Sequence, residues 1–254
     1  MEHSRFLDCL AADFDRFRAL VPTDPGAPVP SCPGWTVADL TRHVGEVYLH
    51  KTLAMREGVE REPWPPGEPA GEDPVALLDR AYAGLREEFA GRRPEDPAGS
   101  WYAPDRTVGF WIRRMAQETV IHRVDAELAT GRPMAPIPHD LAVDGIDELL
   151  EVFVAYSVAA WGDYFSDILA GSPGRTYAVR TEGGAWRARS GPGTFTVEPD
   201  PGEGVADVTV SGPPAAVLRW VWNRDGVAAP SEVTVEGAPE AIDELRRCIV
   251  TATQ

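Results

Sequence analysis

The sequence predicts a two-part chain of α plus α/β character: a four-helix bundle with a fifth helix behind it, then a small α+β domain with a mostly antiparallel sheet. Three observations carry this reading. Five segments in the first two thirds place apolar residues at alternating spacings of three and four, the period of a helix with one buried stripe. Near Gly171 the texture changes to short runs rich in β-formers, separated by Gly or Pro. The chain has 254 residues, 43% of them hydrophobic, which is enough for one large domain or two small ones with real cores. The expected domains are residues 1–165 and 166–254.

The first helix carries Leu7, Leu10, Phe14, Phe17 and Val21 on one stripe, and a Pro- and Gly-rich connection from Pro22 to Gly34 follows it. The second opens at Thr36, with Asp39 three residues on as a capping box, and its stripe includes Val37, Leu40, Val44 and Val47. The connection from Gly58 to Asp73 contains Pro63, Pro65, Pro66 and Pro69 and cannot be helical throughout. Asp73-Pro74 reads as the cap and first residue of the third helix, whose stripe is Val75, Leu78, Tyr82, Leu85 and Phe89. A fourth helix begins near Thr107 and stops at Gly131-Arg-Pro133. A fifth runs from about Pro138 to Gly162, with Ala142, Ile146, Leu149, Phe153 and Tyr156 along one side. Helices of this kind, joined by loops, bury one another as a bundle.

In the second part, residues 176–181, 185–189, 194–197, 207–210 and 232–236 read as strands. Pro213 to Trp222 and Pro239 to Thr251 read as helices lying on one face of the sheet. No internal repeat is apparent.

A formal net charge of −16 disfavours nucleic acid and anionic membranes as partners, because both are polyanions. It does not disfavour a small anionic substrate, which responds to the local field of a pocket. Cys9, Cys32 and Cys248 are too few and too scattered for a disulfide framework or a thiolate zinc site. No stretch approaches the ~20 apolar residues of a membrane span. Residues 1–6 run into an amphipathic pattern without the apolar core of a secretory leader, so the expected location is the cytoplasm. One lysine and one asparagine, amid abundant Arg, Ala, Pro and Gly, match the coding habit of a GC-rich, actinobacterial genome.

The chemistry is expected on the fourth helix. Its inward stripe reads Val108, Trp111, Met115, Glu118, His122, Asp125 and Ala129, with three ionisable residues where apolar ones belong. Such residues are paired, metal-bound or exposed in a cavity, since burying an unpaired carboxylate costs several kcal/mol. Glu118 and His122 lie four apart, roughly 6 Å along the axis and on the same face, which suits two ligands of one metal. His43 faces inward from the second helix between Leu40 and Val47. Three protein ligands leave a position open for water or substrate, as in catalytic metal sites. The bland reading of the same trio is a buried polar network between two helices.

Asp125 is read as an acceptor orienting the ring of His122, with a general base and a simple cap as alternatives. His50 is two turns from His43, too far to share its metal. Cys32 is read as a small packed thiol, and a reactive thiol is the minority reading. Trp35 and Trp111 are expected to pack the bundle, with an aromatic wall of the site as the alternative. Arg224 follows the helix ending at Trp222, where a cation meets the helix dipole favourably.

Two segments carry a family resemblance: Ser31-Cys-Pro-Gly-Trp-Thr-Val-Ala-Asp-Leu-Thr-Arg-His-Val44 and Glu118-Thr-Val-Ile-His-Arg-Val-Asp125. They resemble the signature segments of the mycothiol-dependent maleylpyruvate isomerase family, within the DinB-like superfamily of metal-binding helical bundles. The resemblance implies a DinB-like bundle and a C-terminal domain similar to sterol carrier proteins. It implies His43, Glu118 and His122 as ligands of a divalent metal, usually zinc, and mycothiol as thiol cofactor or co-substrate. It also implies that an arginine near the helix end at Trp222 reaches the active site; Arg224 is the best match and Arg219 the alternative.

The expected function is a metal-dependent enzyme using a low-molecular-weight thiol for isomerisation or S-transfer on a small, anionic substrate. Asp125 and Arg224 are its expected catalytic residues, Arg224 also binding the thiol cofactor, in a monomer or homodimer. The alternatives are a metal-dependent hydrolase on the same site and a non-catalytic binding or regulatory module.

Overall fold

The computed structural model describes residues 1–60, 71–202, 204–226 and 230–253. Most of the Pro-rich connection expected between residues 58 and 73 therefore lies outside the described residues. The chain divides into two compact units, Met1–Ala135 and Pro136–Gln254.

The first unit holds α1 (His3–Leu20), α2 (Val37–Glu57), α3 (Pro74–Gly91) and α4 (Val108–Ala129). Their starts follow the sequence signals. The Thr36 side chain accepts from Asp39 N–H while Asp39 accepts from Thr36 N–H, a complete capping box. Asp73 accepts from the N–H groups of Val75 and Ala76, and Thr107 from that of Phe110. The α2 helix ends at Gly58 with φ +73°, the left-handed C-terminal position that favours glycine.

Packing in this unit pairs α1 with α4 and α2 with α3, and brings α2 against α4. Gly45 permits the close approach of α2 to α3: a Cβ there would lie 3.1 Å from the backbone nitrogen of Leu78. Phe14 stacks on Tyr82 with centroids 3.5 Å apart, and the Tyr48 hydroxyl meets that of Thr119 at 2.6 Å, linking α2 to α4. Between α1 and α4 lies a buried ion network. The Arg123 guanidinium donates to Asp13 at 3.0 Å and to Glu127 at 2.7 Å. Glu127 also accepts from Arg16 at 2.9 Å. The α4 helix is buried on nearly all sides, and the ionisable residues Arg114, Arg123 and Glu127 outside the expected stripe are accommodated there by pairing.

The second unit begins with α5 (His139–Glu148), which continues through a π-helical segment (Leu149–Ala155) into α6 (Tyr156–Ala160). The single expected helix is thus interrupted by wider turns. A 3-10 turn (Gly162–Phe165) and α7 (Ser166–Leu169) lead to β1 (Arg175–Thr181), β2 (Gly184–Gly191), β3 (Thr194–Pro199) and β4 (Val208–Ser211). Next come α8 (Pro214–Val221), β5 (Thr234–Gly237) and α9 (Pro239–Ala252). The sheet order is β3-β2-β1-β4-β5, antiparallel except for the parallel pair β1–β4. Tyr177, Val179, Val208 and Val210 form its buried centre together with Leu218 and Leu245 from the helices.

The two compact units meet at Ala135 and Pro136, one helix before the expected boundary of 165/166. Inside the second unit α5 packs on α8, and the π segment on β3 and α9. Asp147 accepts from the indole N–H of Trp186 on β2 at 2.9 Å. Within the second unit α5 therefore belongs to the α+β core. A periodic apolar stripe specifies that a helix needs a core but not which core. No helix among the described residues is long and apolar enough to cross a membrane.

Candidate metal centre

Helix geometry brings the three expected ligands together. One turn of α4 separates Glu118 from His122, so both project from one face. The α2 helix lies against that face and contributes His43. Glu118 Oε1 stands 3.1 Å from His122 Nε2 and 3.4 Å from His43 Nε2. One ligand atom from each residue can be chosen so that all lie within 4.8 Å of one another. Tetrahedral ligation at ~2.0–2.1 Å separates neighbouring ligand atoms by roughly 3.4 Å. The two nitrogen–oxygen distances match that spacing, and two imidazoles with one carboxylate form a donor set that zinc accepts. The residues fit a divalent metal.

Around the trio, α4 supplies a row of alternating charge. The Arg114 guanidinium, one turn before Glu118, donates to Glu118 Oε2. His122 Nδ1 lies 2.9 Å from Asp125 Oδ2. Asp125 is fully buried, and its other oxygen accepts from the Ser31 hydroxyl in the loop before α2. The Cys32 thiol lies 3.8 Å from Asp125 Oδ2, which places it beside the site. The Trp35 ring sits 4.9 Å from that of His43 and is half-buried, so it walls the site and does not merely pack the bundle. Trp111 is core: its indole donates to Gly99 O at 2.7 Å. His50 is buried on α2 and stands outside the trio.

Electrostatics follow from this geometry. Burial opposes charge on both partners of the Glu118–His122 pair. Against it, the imidazolium of His122, with hydrogen bonds from His122 and His43 and the charge of Arg114, holds Glu118 well below the usual carboxylate range. The Glu118 carboxylate and hydrogen bonds to Asp125 and Glu118 likewise outweigh burial at His122, whose ring is pushed up to about 9. Without a metal, Glu118 and His122 therefore form a proton-holding ion pair, and a metal bound there would displace that proton.

Arg224 lies in the second unit, after α8, with its guanidinium donating to Trp222 O and its backbone N–H to Arg219 O at 2.7 Å. Arg219 pairs with Glu232 at 3.4 Å. Sequence reasoning missed Arg114 and Ser31. The signal for Arg114 was present, because it precedes Glu118 by four residues just as Glu118 precedes His122. Ser31 opens the first resemblance segment, but no spacing ties it to Asp125, 94 residues away.

Comparison with known proteins adds the following. A family profile described as the mycothiol maleylpyruvate isomerase N-terminal domain matches residues 7–127. A second, described as the MDMPI C-terminal domain, matches residues 140–244. The crystal structure of the mycothiol-dependent maleylpyruvate isomerase is similar at 16% identity and a TM-score of 0.60, covering 94% of this chain and 96% of that one. A histidine-to-alanine mutant of that isomerase is similar at 16% identity and a TM-score of 0.61, with the same coverage. Among curated proteins, no sequence matches.

Proposed function

The chain belongs to the mycothiol maleylpyruvate isomerase family, and on that premise we propose that it is a metal-dependent enzyme using a low-molecular-weight thiol, mycothiol, on a small anionic substrate. The observation that carries this reading is the convergence of His43, Glu118 and His122 from two helices at the spacing of a three-ligand zinc site. Three ligands leave one coordination position for an exchangeable group. A zinc ion bound there supplies positive charge that favours thiolate over thiol near neutral pH.

The residues of the chain hold that arrangement in place. With a metal bound, Asp125 would accept from His122 Nδ1–H and so leave the Nε2 lone pair for the ion. Ser31 in turn holds Asp125. In the isomerase reading the thiolate adds to an activated alkene, forming a C–S bond and moving the π electrons onto the adjoining carbonyl as an enolate. Rotation about the resulting single bond is followed by collapse of the enolate, which expels the thiolate and restores the alkene in the other geometry. In the S-transfer reading the enolate carbon takes up a proton and the adduct is the product. Arg224, as the family resemblance implies, would bind polar groups of the thiol or neutralise a carboxylate of the substrate.

Cobalt-substituted protein tests the reading. Mycothiol, or an analogue, is expected to produce sulfur-to-cobalt charge-transfer bands. Arg224→Ala is expected to weaken that titration several-fold while metal content stays at one equivalent. Water-like cobalt spectra at saturating thiol, together with turnover of an ester or amide, assign the site to a hydrolase instead. Neither bands nor turnover assigns the chain to a binding module.

A further inference from the structure

The two oxygens of Glu118 have different neighbours. Oε1 faces both imidazoles, 3.1 Å from His122 Nε2 and 3.4 Å from His43 Nε2. Oε2 is taken by the Arg114 guanidinium, whose side chain is only 5% exposed. Both residues stand on one rigid helix, one turn apart, so their pairing requires no loop to order. A carboxylate with both oxygens unrestrained can bind a cation through one or both. Here a charge-assisted hydrogen bond holds one of them away.

We propose that Arg114 is a positioning residue that keeps Glu118 a one-oxygen ligand and thereby preserves the open coordination position for the thiol. The proposal rests on the metal-centre reading above. A second cation, the Lys51 ammonium, is 2.7 Å from Glu60 and lies over the Trp111 ring, so it reaches Glu118 through its charge, whereas Arg114 holds Oε2 by a direct hydrogen bond. Arginine suits the task, since its planar, permanently charged fork holds an oxygen in a defined direction. Capture of the second oxygen by the metal fills the space at which sulfur arrives, so Arg114 acts on thiol access through Glu118 without touching the thiol.

The test uses cobalt-loaded, full-length protein, whose visible bands distinguish four-coordinate from five-coordinate sites without any substrate. Wild type is expected to show the intense bands of a four-coordinate centre. Arg114→Gln is expected to lose that intensity, and Arg114→Lys, which restores a charged donor, to regain it. In a Glu118→Gln background, where no second carboxylate oxygen exists, Arg114→Gln is expected to change nothing further. A purely structural role predicts the opposite, an equal effect in both backgrounds. Wild-type spectra in Arg114→Gln overturn the role of Arg114 and leave the metal centre standing. A wild type that takes up no cobalt overturns the metal centre and this proposal with it. A crystal structure of cobalt-loaded wild type decides the matter even where Arg114→Gln does not fold: both Glu118 oxygens at bonding distance refute the proposal, and Oε2 on Arg114 supports it.

Discussion

His122 Nδ1 lies 2.9 Å from Asp125 Oδ2 while His122 Nε2 lies 3.1 Å from Glu118 Oε1, so one ring is held from both ends by carboxylates of its own helix. Asp125 is therefore expected to matter to metal retention without being a ligand. Asp125→Asn is predicted to lower zinc affinity by about 10–100-fold, the usual range for an outer-shell partner of a ligating histidine. Competition with a chromophoric chelator measures this, and wild-type affinity would show that the Asp125 contact is incidental.

Native protein is predicted to carry up to one equivalent of a divalent ion by elemental analysis. His43→Ala and His122→Ala should each lose it, and Glu118→Gln should hold it more weakly, because an amide lacks the charge that balances the cation. Stoichiometric metal in the His43→Ala/His122→Ala double variant is the outcome that the proposed centre does not survive.

The pH dependence of the metal-free protein has a definite sign. His122 titrates at about 9 in the fold against an ordinary 6.5, so the folded state binds this proton more tightly than the unfolded chain. The resulting stabilisation is complete below pH 6.5 and disappears as the pH rises through 9. It is on the order of a few kcal/mol, since one pKa unit corresponds to ~1.4 kcal/mol. Metal-stripped protein should accordingly melt several degrees lower at pH 9.5 than at pH 6, and His122→Gln should flatten that slope. An equally steep slope in His122→Gln would assign it to other groups.

Removing the cation between Asp13 and Glu127 should damage the bundle more than any surface change. Arg123 is fully buried and donates to both carboxylates, so Arg123→Met takes the cation from buried Asp13 and leaves Glu127 with Arg16 alone as its cation. The expected loss is about 3–5 kcal/mol, as for other broken buried ion pairs. Chemical denaturation of the metal-free protein measures it, and a loss under about 1 kcal/mol would place the network among the weak surface pairs.

Placing α5 in the second unit predicts which fragment folds. Residues 136–254 expressed alone should retain near-UV circular dichroism and a cooperative melt. Residues 166–254 should lose both, because the fragment strips α5 from α8 and the π segment from β3 and α9. Equal behaviour of the two fragments would return the boundary to 165/166.

Much of the bundle could be read from residue order because its signals are local. Caps at Thr36, Asp73 and Thr107 are satisfied within three residues, and stripes at helical spacing mark the faces that must be buried. The pairing of Glu118 with His122 belongs to the same class: four residues along any helix return to the same face. The addition of His43 followed from its inward position on α2, a face argument of the same kind. Arg114 is within reach of the same argument, one turn before Glu118.

What residue order left open were choices among partners far apart in the chain. The stripe on α5 demands a core without naming which; in the structure α5 packs on α8, with Asp147 joined to Trp186. The β-forming runs predicted strands but not the parallel pairing of β1 with β4, which depends on how β2 and β3 fold back first. The hold of Ser31 on Asp125 spans 94 residues and appears only when the loop before α2 reaches α4. Local periodicity determines what each segment must bury, whereas shape and charge complementarity between distant segments select where it is buried.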